Sequence, residues 1–295
     1  MAQAGAARGM ATEKQIWNQI QSTKNIRKIT ASMKMVSAAK LKGDENRLAL
    51  AKPFNKWTDA LCGEAVLLDD LNDITYEELP QRTLIVPLSS DKGLCGGINT
   101  FITRSVRDAI TKVADQGKEC DIVMIGDKGR AQLSRIAPEK ITRCVTEVIS
   151  PGNFNLAAAF SSEISAAGAA DYDAVMIVYN SYVNAAVYNQ YYKIIKPMTA
   201  EGEAESMVEY EFEPDVKSEV MTDLYEYMLT SQLYYCFMDG ACAEQSSRMT
   251  AMENASQNAG EMINSLTLKY NRARQSRITT ELIEIISGAA ALEDK

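Results

Sequence analysis

The segment SSDKGLCGGIN, residues 89–99, holds the residue types that most suggest chemistry in this chain. It follows an apolar run that predicts a strand and precedes a predicted helix, so backbone N–H groups there could hold a phosphate. Its spacing matches neither Gly-x-Gly-x-x-Gly nor a P-loop with its Lys-Ser/Thr ending. We therefore interpret the segment as structural, with phosphate binding as the weaker alternative. The interpretation assigns turn and close-packing positions to Gly93, Gly96 and Gly97.

Other catalytic chemistry has little support in the composition. Histidine is absent, which removes the commonest general base and metal ligand. The six cysteines have irregular spacing without a Cys-x-x-Cys pair, a pattern that favours free thiols over disulfides or a metal site. Lys and Asp residues are scattered rather than clustered at predicted strand ends. We predict no active site, no cofactor and no metal.

Charge is unevenly distributed along the 295 residues. The net charge of −8 argues against general nucleic-acid binding, and no window reaches the roughly 20 apolar residues of a membrane span. Residues 12–52 carry nine basic and three acidic side chains, whereas residues 201–226 carry ten acidic side chains and one lysine. These stretches are either solvated helix faces or surfaces for oppositely charged partners. Residues 1–11 are either a transit-peptide remnant or a disordered tail.

Residues 80–212 show the pattern of an α/β domain. Predicted strands alternate with predicted helices, which favours a Rossmann-like parallel sheet with helices on its faces. The strands are predicted at 83–89, 120–126, 141–148 and 172–181, and the helices at 98–117 and 155–170. Two further strands, 187–198 and 206–214, are expected at an edge of the sheet.

The flanking segments, 12–70 and 213–295, predict long helices. In the first, Ile26, Ile29, Met33 and Val36 recur at coiled-coil spacing and predict the seam. Pro53 should kink or interrupt this helix, which then resumes over residues 54–71. In the second, the apolar stripe has an alternating spacing of three and four. It comprises Met249, Met252, Ser256, Ala259, Ile263, Leu266, Tyr270 and Ala273. The two helices are predicted to pair as an antiparallel coiled coil.

The end of the second helix departs from this stripe. After Ala273 the phase slips by five residues at RARQSR, residues 272–277, and a new apolar stripe begins at Ile278. Its other members are Leu282, Ile285, Ala289 and Leu292. Part of the helix is expected to extend past its partner, so this stripe is a candidate for packing against another protein. Its Ala and Gly residues would let an apolar wall approach closely.

Four segments resemble the gamma subunit of F-type ATP synthases. They are NIRKITASMKMVSAAKL (25–41), SSDKGLCGGIN (89–99), NAGEMINSLTLKYNRARQ (258–275) and ITTELIEIISGAAA (278–291), and they occur in order along the chain. The last resembles the family's C-terminal signature, carried here by Ile278, Thr279, Glu281, Glu284, Gly288 and Ala289. The resemblance implies a central-stalk rotor whose paired terminal helices turn inside a hexamer of alpha and beta subunits.

The resemblance also implies contact residues. Arg274, Gln275, Thr279 and Glu281 match positions where the family's shaft touches the beta subunits, and Met33 with Lys34 matches the facing contact on the first helix. From the residues alone, Arg274 could equally be a solvated helix charge and Met33 a core side chain. The loop residues Asp91 and Lys92 are a hypothetical surface contact with a beta subunit.

The remaining implications concern partners and location. Delta and epsilon stalk subunits and the c-ring are further implied partners, and the acidic stretch 201–226 is a speculative docking site for the smaller subunits. The implied location is the mitochondrial inner membrane on its matrix side, with the bacterial plasma membrane on its cytoplasmic side as the alternative. Two other classes compete with this reading of the sequence, a free-standing α/β enzyme and a passive coiled-coil tether.

Overall fold

The computed structural model describes residues 13–68, 81–148, 152–166, 172–197 and 217–293. Five helices, a 3-10 turn and six strands follow one another in these ranges. In chain order they are α1 Glu13–Cys62, β1 Val66–Leu67, β2 Arg82–Pro87, α2 Ile98–Asp115, β3 Glu119–Ile125, α3 Asp127–Leu133, the 3-10 turn Pro138–Lys140, β4 Ile141–Val145, α4 Phe154–Ala166, β5 Ala174–Asn184, β6 Val187–Ile195 and α5 Lys217–Glu293. The predicted tail 1–11, the predicted strand 206–214 and most of the acidic stretch lie outside the described residues.

The strands form one mixed sheet in the order β1-β6-β5-β2-β3-β4. Strands β2 to β5 are mutually parallel where they pair, and β6 runs antiparallel to β5. The α/β prediction is confirmed, and the strand order from β4 to β5 is that of a Rossmann-like half. The sheet differs from the prediction at one edge, because β1 pairs with β6 and covers it.

Strand β1 lies where the sequence predicted a continuing helix. Helix α1 ends at Cys62 because Gly63 adopts a φ of +85°, a left-handed conformation that favours glycine. The Gly63 N–H donates to the carbonyl of Asp59 at 2.9 Å and closes the last turn. The predicted helical segment 54–71 is therefore wrong beyond Cys62.

Pro53 does not interrupt α1, which continues through it as one helix. Proline removes a single backbone donor, and the helix turns on either side are held by packing against other elements of the fold. Ala51 and Asn55, two residues before and after Pro53, are both buried. The predicted interruption is wrong, since tertiary contacts on this face outweigh the local preference.

Central strands are buried on both faces, which explains their continuous apolar runs. Ile85, Ile122 and Met176 lie in one apolar cluster with helix α2. Leu84, Val175 and Ile177 lie in the other, together with α4 and the first turns of α5. Helix α5 is therefore part of the core of the sheet as well as a partner of α1.

The chain divides into two compact units. The sheet unit comprises residues 36–251, and the helical unit comprises the residues up to 35 together with those from 252 onward. Each long helix contributes to both units.

In the helical unit, α1 and α5 run antiparallel, as predicted. Each contact that involves a later residue of α1 involves an earlier residue of α5. The contacts are Glu13 with Arg277 at 2.7 Å, the Trp17 and Tyr270 rings at 5.5 Å between centroids, Thr23 Oγ1 with Met262 Sδ at 3.9 Å, and Lys34 Nζ with Glu253 at 2.5 Å.

The predicted stripe of α5 faces its partner, and the predicted stripe of α1 does not. On α5, Met252 and Ala259 are buried, and Ile263, Leu266, Tyr270 and Ala273 are half-buried. In the part of α1 that belongs to the helical unit, residues 13–35, the buried positions are Ile16, Ile20, Thr23 and Thr30. The predicted seam is wrong, because Ile26 and Ile29 are 53% and 58% exposed. Threonine brings the helices closer than isoleucine would, and the isoleucines form an outward apolar stripe.

One buried carboxyl in the sheet unit should make stability depend on pH. Asp239 of α5 is 1% exposed, and its Oδ1 accepts the Tyr182 N–H at 2.7 Å. Burial raises the pKa of this carboxyl above its ordinary value of 3.8. The folded chain therefore holds this proton at pH values where the unfolded chain has lost it.

We expect the contribution of Asp239 to the free energy of unfolding to fall as pH rises from about 3.8 through the raised pKa of this carboxyl. Asp239→Asn keeps an acceptor for the Tyr182 N–H and removes the charge. The free energy of unfolding of this variant, relative to that of the wild type, should therefore increase as the pH rises across that interval. Urea unfolding of both chains at a series of pH values measures the difference. A difference that does not change with pH would contradict the prediction.

Candidate partner-contact site

The last described turns of α5 are exposed. From Arg274 to Ala289 every side chain is exposed. Five of them are large and apolar, with exposures of 44% for Ile278, 53% for Leu282, 57% for Ile283, 68% for Ile285 and 66% for Ile286. A contiguous apolar surface of this kind is typical of a site that packs against another protein. We call residues 274–289 the exposed end.

The exposed end begins where a charged clamp closes the helix pair. Arg277 donates from Nε to Glu13 Oε2 at 2.7 Å and from Nη1 to Glu281 Oε1 at 2.8 Å. The Arg277 guanidinium holds the pKa of Glu13 below its ordinary value. Sequence reasoning missed this clamp, although the i,i+4 spacing of Arg277 and Glu281 was a signal for an intrahelical ion pair.

An open groove lies beside the clamp in the helical unit. Glu13, Lys14, Trp17, Tyr270 and Arg277 line it. Trp17 is 46% exposed although its ring contacts Tyr270. Tryptophan, tyrosine and arginine are the residue types that carry most of the binding energy in protein interfaces. The groove therefore extends the exposed end as a candidate contact surface.

The contact residues implied by the resemblance fall at two levels of the helix pair. Arg274 and Gln275 are exposed, and Thr279 donates its hydroxyl to the Gln275 carbonyl at 3.0 Å. Met33 and Lys34 are half-buried, and Lys34 pairs with Glu253. Glu253 and Arg274 are separated by about 30 Å along α5 at about 1.5 Å per residue. The structure does not bring the two groups together as one facing contact.

The signature residues at the exposed end have no packing role within the described chain. Ile278, Thr279, Glu281, Glu284, Gly288 and Ala289 are all exposed. A Cβ atom added to Gly288 would meet no heavy atom within 4 Å. Glycine costs about 1 kcal/mol relative to alanine inside a helix. Contacts within the described part of the chain do not account for that cost.

The loop 89–99 is held by its own polar groups. Asp91 accepts the backbone N–H of Asp127 at 2.8 Å and that of Val148 at 2.6 Å, one on each carboxylate oxygen. Asp91 thus fastens the loop to two others, and a surface contact of Asp91 and Lys92 with a beta subunit stays a hypothesis. Gly96 has a φ of +64°, and a Cβ at Gly97 would lie 2.9 Å from the Phe101 ring. Both match the interpretation as turn and close-packing positions.

Gly93 does not need to be glycine, because a Cβ there would make only an ordinary contact with Lys128 at 3.9 Å. The left-handed residue in this half of the loop is Leu94, with a φ of +62°. Its side chain is 62% exposed. The interpretation of Gly93 as a turn or close-packing position stays a prediction.

A small cavity lies at the carboxyl ends of β2 and β5. Its volume is about 70 Å³, and its wall includes Asp91, Asn99, Asn180 and Glu244. Ligand pockets in proteins are about 300–1,000 Å³, and two carboxylates would repel a phosphate. This geometry does not support nucleotide binding.

Three further observations concern the cysteines, metal binding and membrane spans. All six cysteines are free thiols in the structure. Within the described ranges, His, Cys, Asp and Glu side chains form no group of three or more that could hold a metal ion. None of the described helices combines the length and the hydropathy of a membrane span.

An α/β sheet unit joined to a pair of terminal helices, with one apolar helix end exposed, defines a subunit built to contact other chains. The family model described as ATP synthase matches residues 12–292. The chain is 40% identical over 287 residues to the mitochondrial ATP synthase subunit gamma of Drosophila melanogaster, covering 97% of this chain and 92% of that one. The chain belongs to the ATP synthase gamma-subunit family.

Bacterial relatives and solved structures agree with this family. The ATP synthase gamma chain of Pelagibacter ubique is 35% identical over 297 residues, with 96% of this chain and all of that chain covered. A chain from the central stalk and c-ring of Tetrahymena thermophila mitochondrial ATP synthase aligns with a TM-score of 0.60 and 31% identity, covering 77% of this chain and 99% of that one. A chain from Euglena gracilis mitochondrial ATP synthase aligns with a TM-score of 0.76 over 95% of this chain and 94% of that one. At 20% identity, the Euglena likeness concerns the fold.

Proposed function

We propose that this chain is the central-stalk rotor subunit of an F-type ATP synthase. The paired terminal helices turn inside the hexamer of alpha and beta subunits and couple proton movement to ATP synthesis or hydrolysis. The chain itself contributes no active site to the complex. The observation that carries the proposal is the exposed end, whose five large apolar side chains are 44–68% exposed.

Two surfaces of the helical unit fit a surrounding partner. The exposed end would contact an apolar wall, where its small residues permit close approach. The outward stripe of Ile26 and Ile29 is a second apolar surface on the same unit. A two-helix pair with apolar surfaces on its outside is what a shaft enclosed by other subunits requires.

Polar groups of the shaft would couple its rotation to the conformations of the beta subunits. Arg274, Gln275, Thr279 and Glu281 lie at the exposed end, and Met33 with Lys34 lies at a second level. Their contacts with beta subunits would favour one beta conformation over another as the shaft turns, because a contact shifts an equilibrium by its differential affinity for the two states. Glu281 acts in this proposal as part of the Arg277 clamp.

Family membership supports the proposals for the remaining partners and the location. The delta and epsilon stalk subunits and the c-ring complete the rotor, and the acidic stretch 201–226 is the proposed docking site for the smaller subunits. The proposed location is the matrix side of the mitochondrial inner membrane, with the bacterial plasma membrane as the alternative. We assign residues 12–70 and 213–295 to the shaft helices and 80–212 to the α/β domain.

A native pull-down of the tagged chain, followed by mass spectrometry of the intact complex, tests the proposal. We expect one copy of the chain per hexamer of alpha and beta subunits. Recovery as a monomer or a self-dimer without those subunits would contradict the rotor function and favour a tether. Stoichiometric ATP binding by the isolated chain would instead favour an enzyme.

A further inference from the structure

A buried lysine on β6 connects the sheet with both long helices. Lys193 is 3% exposed. Its Nζ donates to Asp59 Oδ1 on α1 at 2.5 Å and to Gln232 Oε1 on α5 at 2.6 Å. The same ammonium lies 5.1 Å from the centroid of the Tyr235 ring on α5. One side chain of the sheet is thus bonded to α1 and α5 at once, within the sheet unit.

Neighbouring polar groups complete the network. The Gln232 side-chain amide donates to Thr58 Oγ1 at 2.7 Å and to Asp59 Oδ1 at 3.1 Å. Asn55 donates to Asp59 Oδ2 at 2.7 Å. Asp59 is 30% exposed, whereas Lys193, Thr58 and Gln232 are buried. A partner that Lys193 or Gln232 lost by displacement of either helix could therefore not readily be replaced by water. The network is therefore satisfied in one arrangement of the three elements.

The apolar packing around this network fixes the positions of α1 and α5 on the sheet less well than the hydrogen bonds do. Leu48 and Ala51 of α1 pack in a cluster with Met238 and Cys242 of α5. Such contacts are non-directional, and methionine adapts readily to changed surroundings. An ion pair in such a place adds little net stability over apolar side chains of similar volume, whereas buried polar groups can specify register. The network is better explained by specificity than by stability.

We propose that Lys193 is a positioning residue that holds α1 and α5 in a single rotational and axial register on the sheet. Torque that acts on the helices then reaches the sheet without slippage. The part of this inference that concerns torque rests on the proposed rotor function, whereas the register itself does not.

The test compares three variants in the fully assembled complex, reconstituted in vesicles. An apolar variant combines Asp59→Leu, Lys193→Met and Gln232→Leu. Lys193→Arg keeps the charge but replaces the compact ammonium by a longer, planar guanidinium, whose N–H directions differ from those of the two bonds that Lys193 makes. Lys196→Met is the matched control, because Lys196 lies just beyond β6 and is exposed. Amide hydrogen exchange of β6 and the ratio of protons moved to ATP hydrolysed are measured, together with the melting temperature.

We expect the apolar variant to keep the wild-type melting temperature while the β6 amides exchange about tenfold faster, since local opening is independent of global stability. The ratio of protons moved to ATP hydrolysed should fall about fivefold, at the low end of coupling between sites. Lys193→Arg should change both quantities in the same direction by less. Lys196→Met should change neither.

Wild-type exchange and a wild-type ratio in the apolar variant would overturn the proposal and leave the network a purely structural element. If the apolar variant does not assemble, the same wild-type result for Lys193→Arg overturns it. If the wild-type complex and the Lys196→Met complex both hydrolyse ATP without moving protons, the rotor function fails instead. The exchange rates of β6 would still decide whether Lys193 sets the register.

Discussion

Gly126→Ala is expected to destabilise the sheet unit by roughly 4 kcal/mol, the sum of backbone strain and overpacking, which each cost about 1–3 kcal/mol. Gly126 is buried between β3 and α3 with a φ of +101°. A Cβ atom there would lie 2.2 Å from the carbonyl oxygen of Ser89. That oxygen belongs to the backbone that continues β2 at the centre of the sheet, so it cannot move without disturbing the sheet.

Urea unfolding of the isolated chain measures this effect as a shift of the midpoint at constant slope. Gly117→Ala is the matched control. Gly117 also has a positive φ, +69°, but a Cβ there would meet no heavy atom within 4 Å. Its substitution should cost about 1 kcal/mol, the strain of a left-handed residue alone. Equal losses for the two variants would show that the close approach at Ser89 is unimportant.

The second large effect concerns assembly rather than stability. Replacing Leu282, Ile285 and Ile286 together by glutamine should weaken assembly with the alpha and beta subunits by more than about 100-fold, because apolar anchors in an interface contribute about 2 kcal/mol or more each. The three side chains are 53%, 68% and 66% exposed. Glutamine is a good helix former of similar length. The free energy of unfolding of the isolated variant should therefore lie within about 0.5 kcal/mol of the wild-type value.

Titration of the tagged chain into alpha and beta subunits, followed by recovery of the complex, measures the loss. A matched control replaces Leu50 and Ile136, which are 80% and 46% exposed in the sheet unit, by glutamine. The control should assemble like the wild type. Unchanged assembly of the triple variant would show that the exposed end is not the contact surface, and a large loss of stability would show that it packs within the chain.

The local hydrophobic pattern was sufficient to predict an element and its buried face where a segment has one apolar surface or is apolar throughout. The central strands were predictable because both of their faces are buried, so they read as continuous apolar runs. The stripe of α5 was predictable because Met252, Ala259 and Ile263 are the members of a single heptad pattern that faces α1. The exposed end was predictable because its pattern slips in phase after Ala273.

Where one helix carries two possible stripes, the sequence alone did not identify the stripe that packs against the partner helix. On α1 the isoleucines at 26 and 29 have the spacing of a seam, yet Thr23 and Thr30 face α5. Spacing reports that a stripe is apolar, whereas the choice of stripe depends on how closely the partner's Ala259 and neighbouring small residues allow the helices to approach.

The sequence by itself determined the central strands, helices α2 and α4, the two long terminal helices, the apolar end and the family resemblance, because each depends on residues close together in the chain. Tertiary structure alone decided which stripe of α1 is the seam, that β1 joins the sheet, that Asp91 fastens three loops and that Lys193 meets Asp59 and Gln232. Those features pair residues far apart in sequence, and their energies depend on distances and burial that only the folded chain defines.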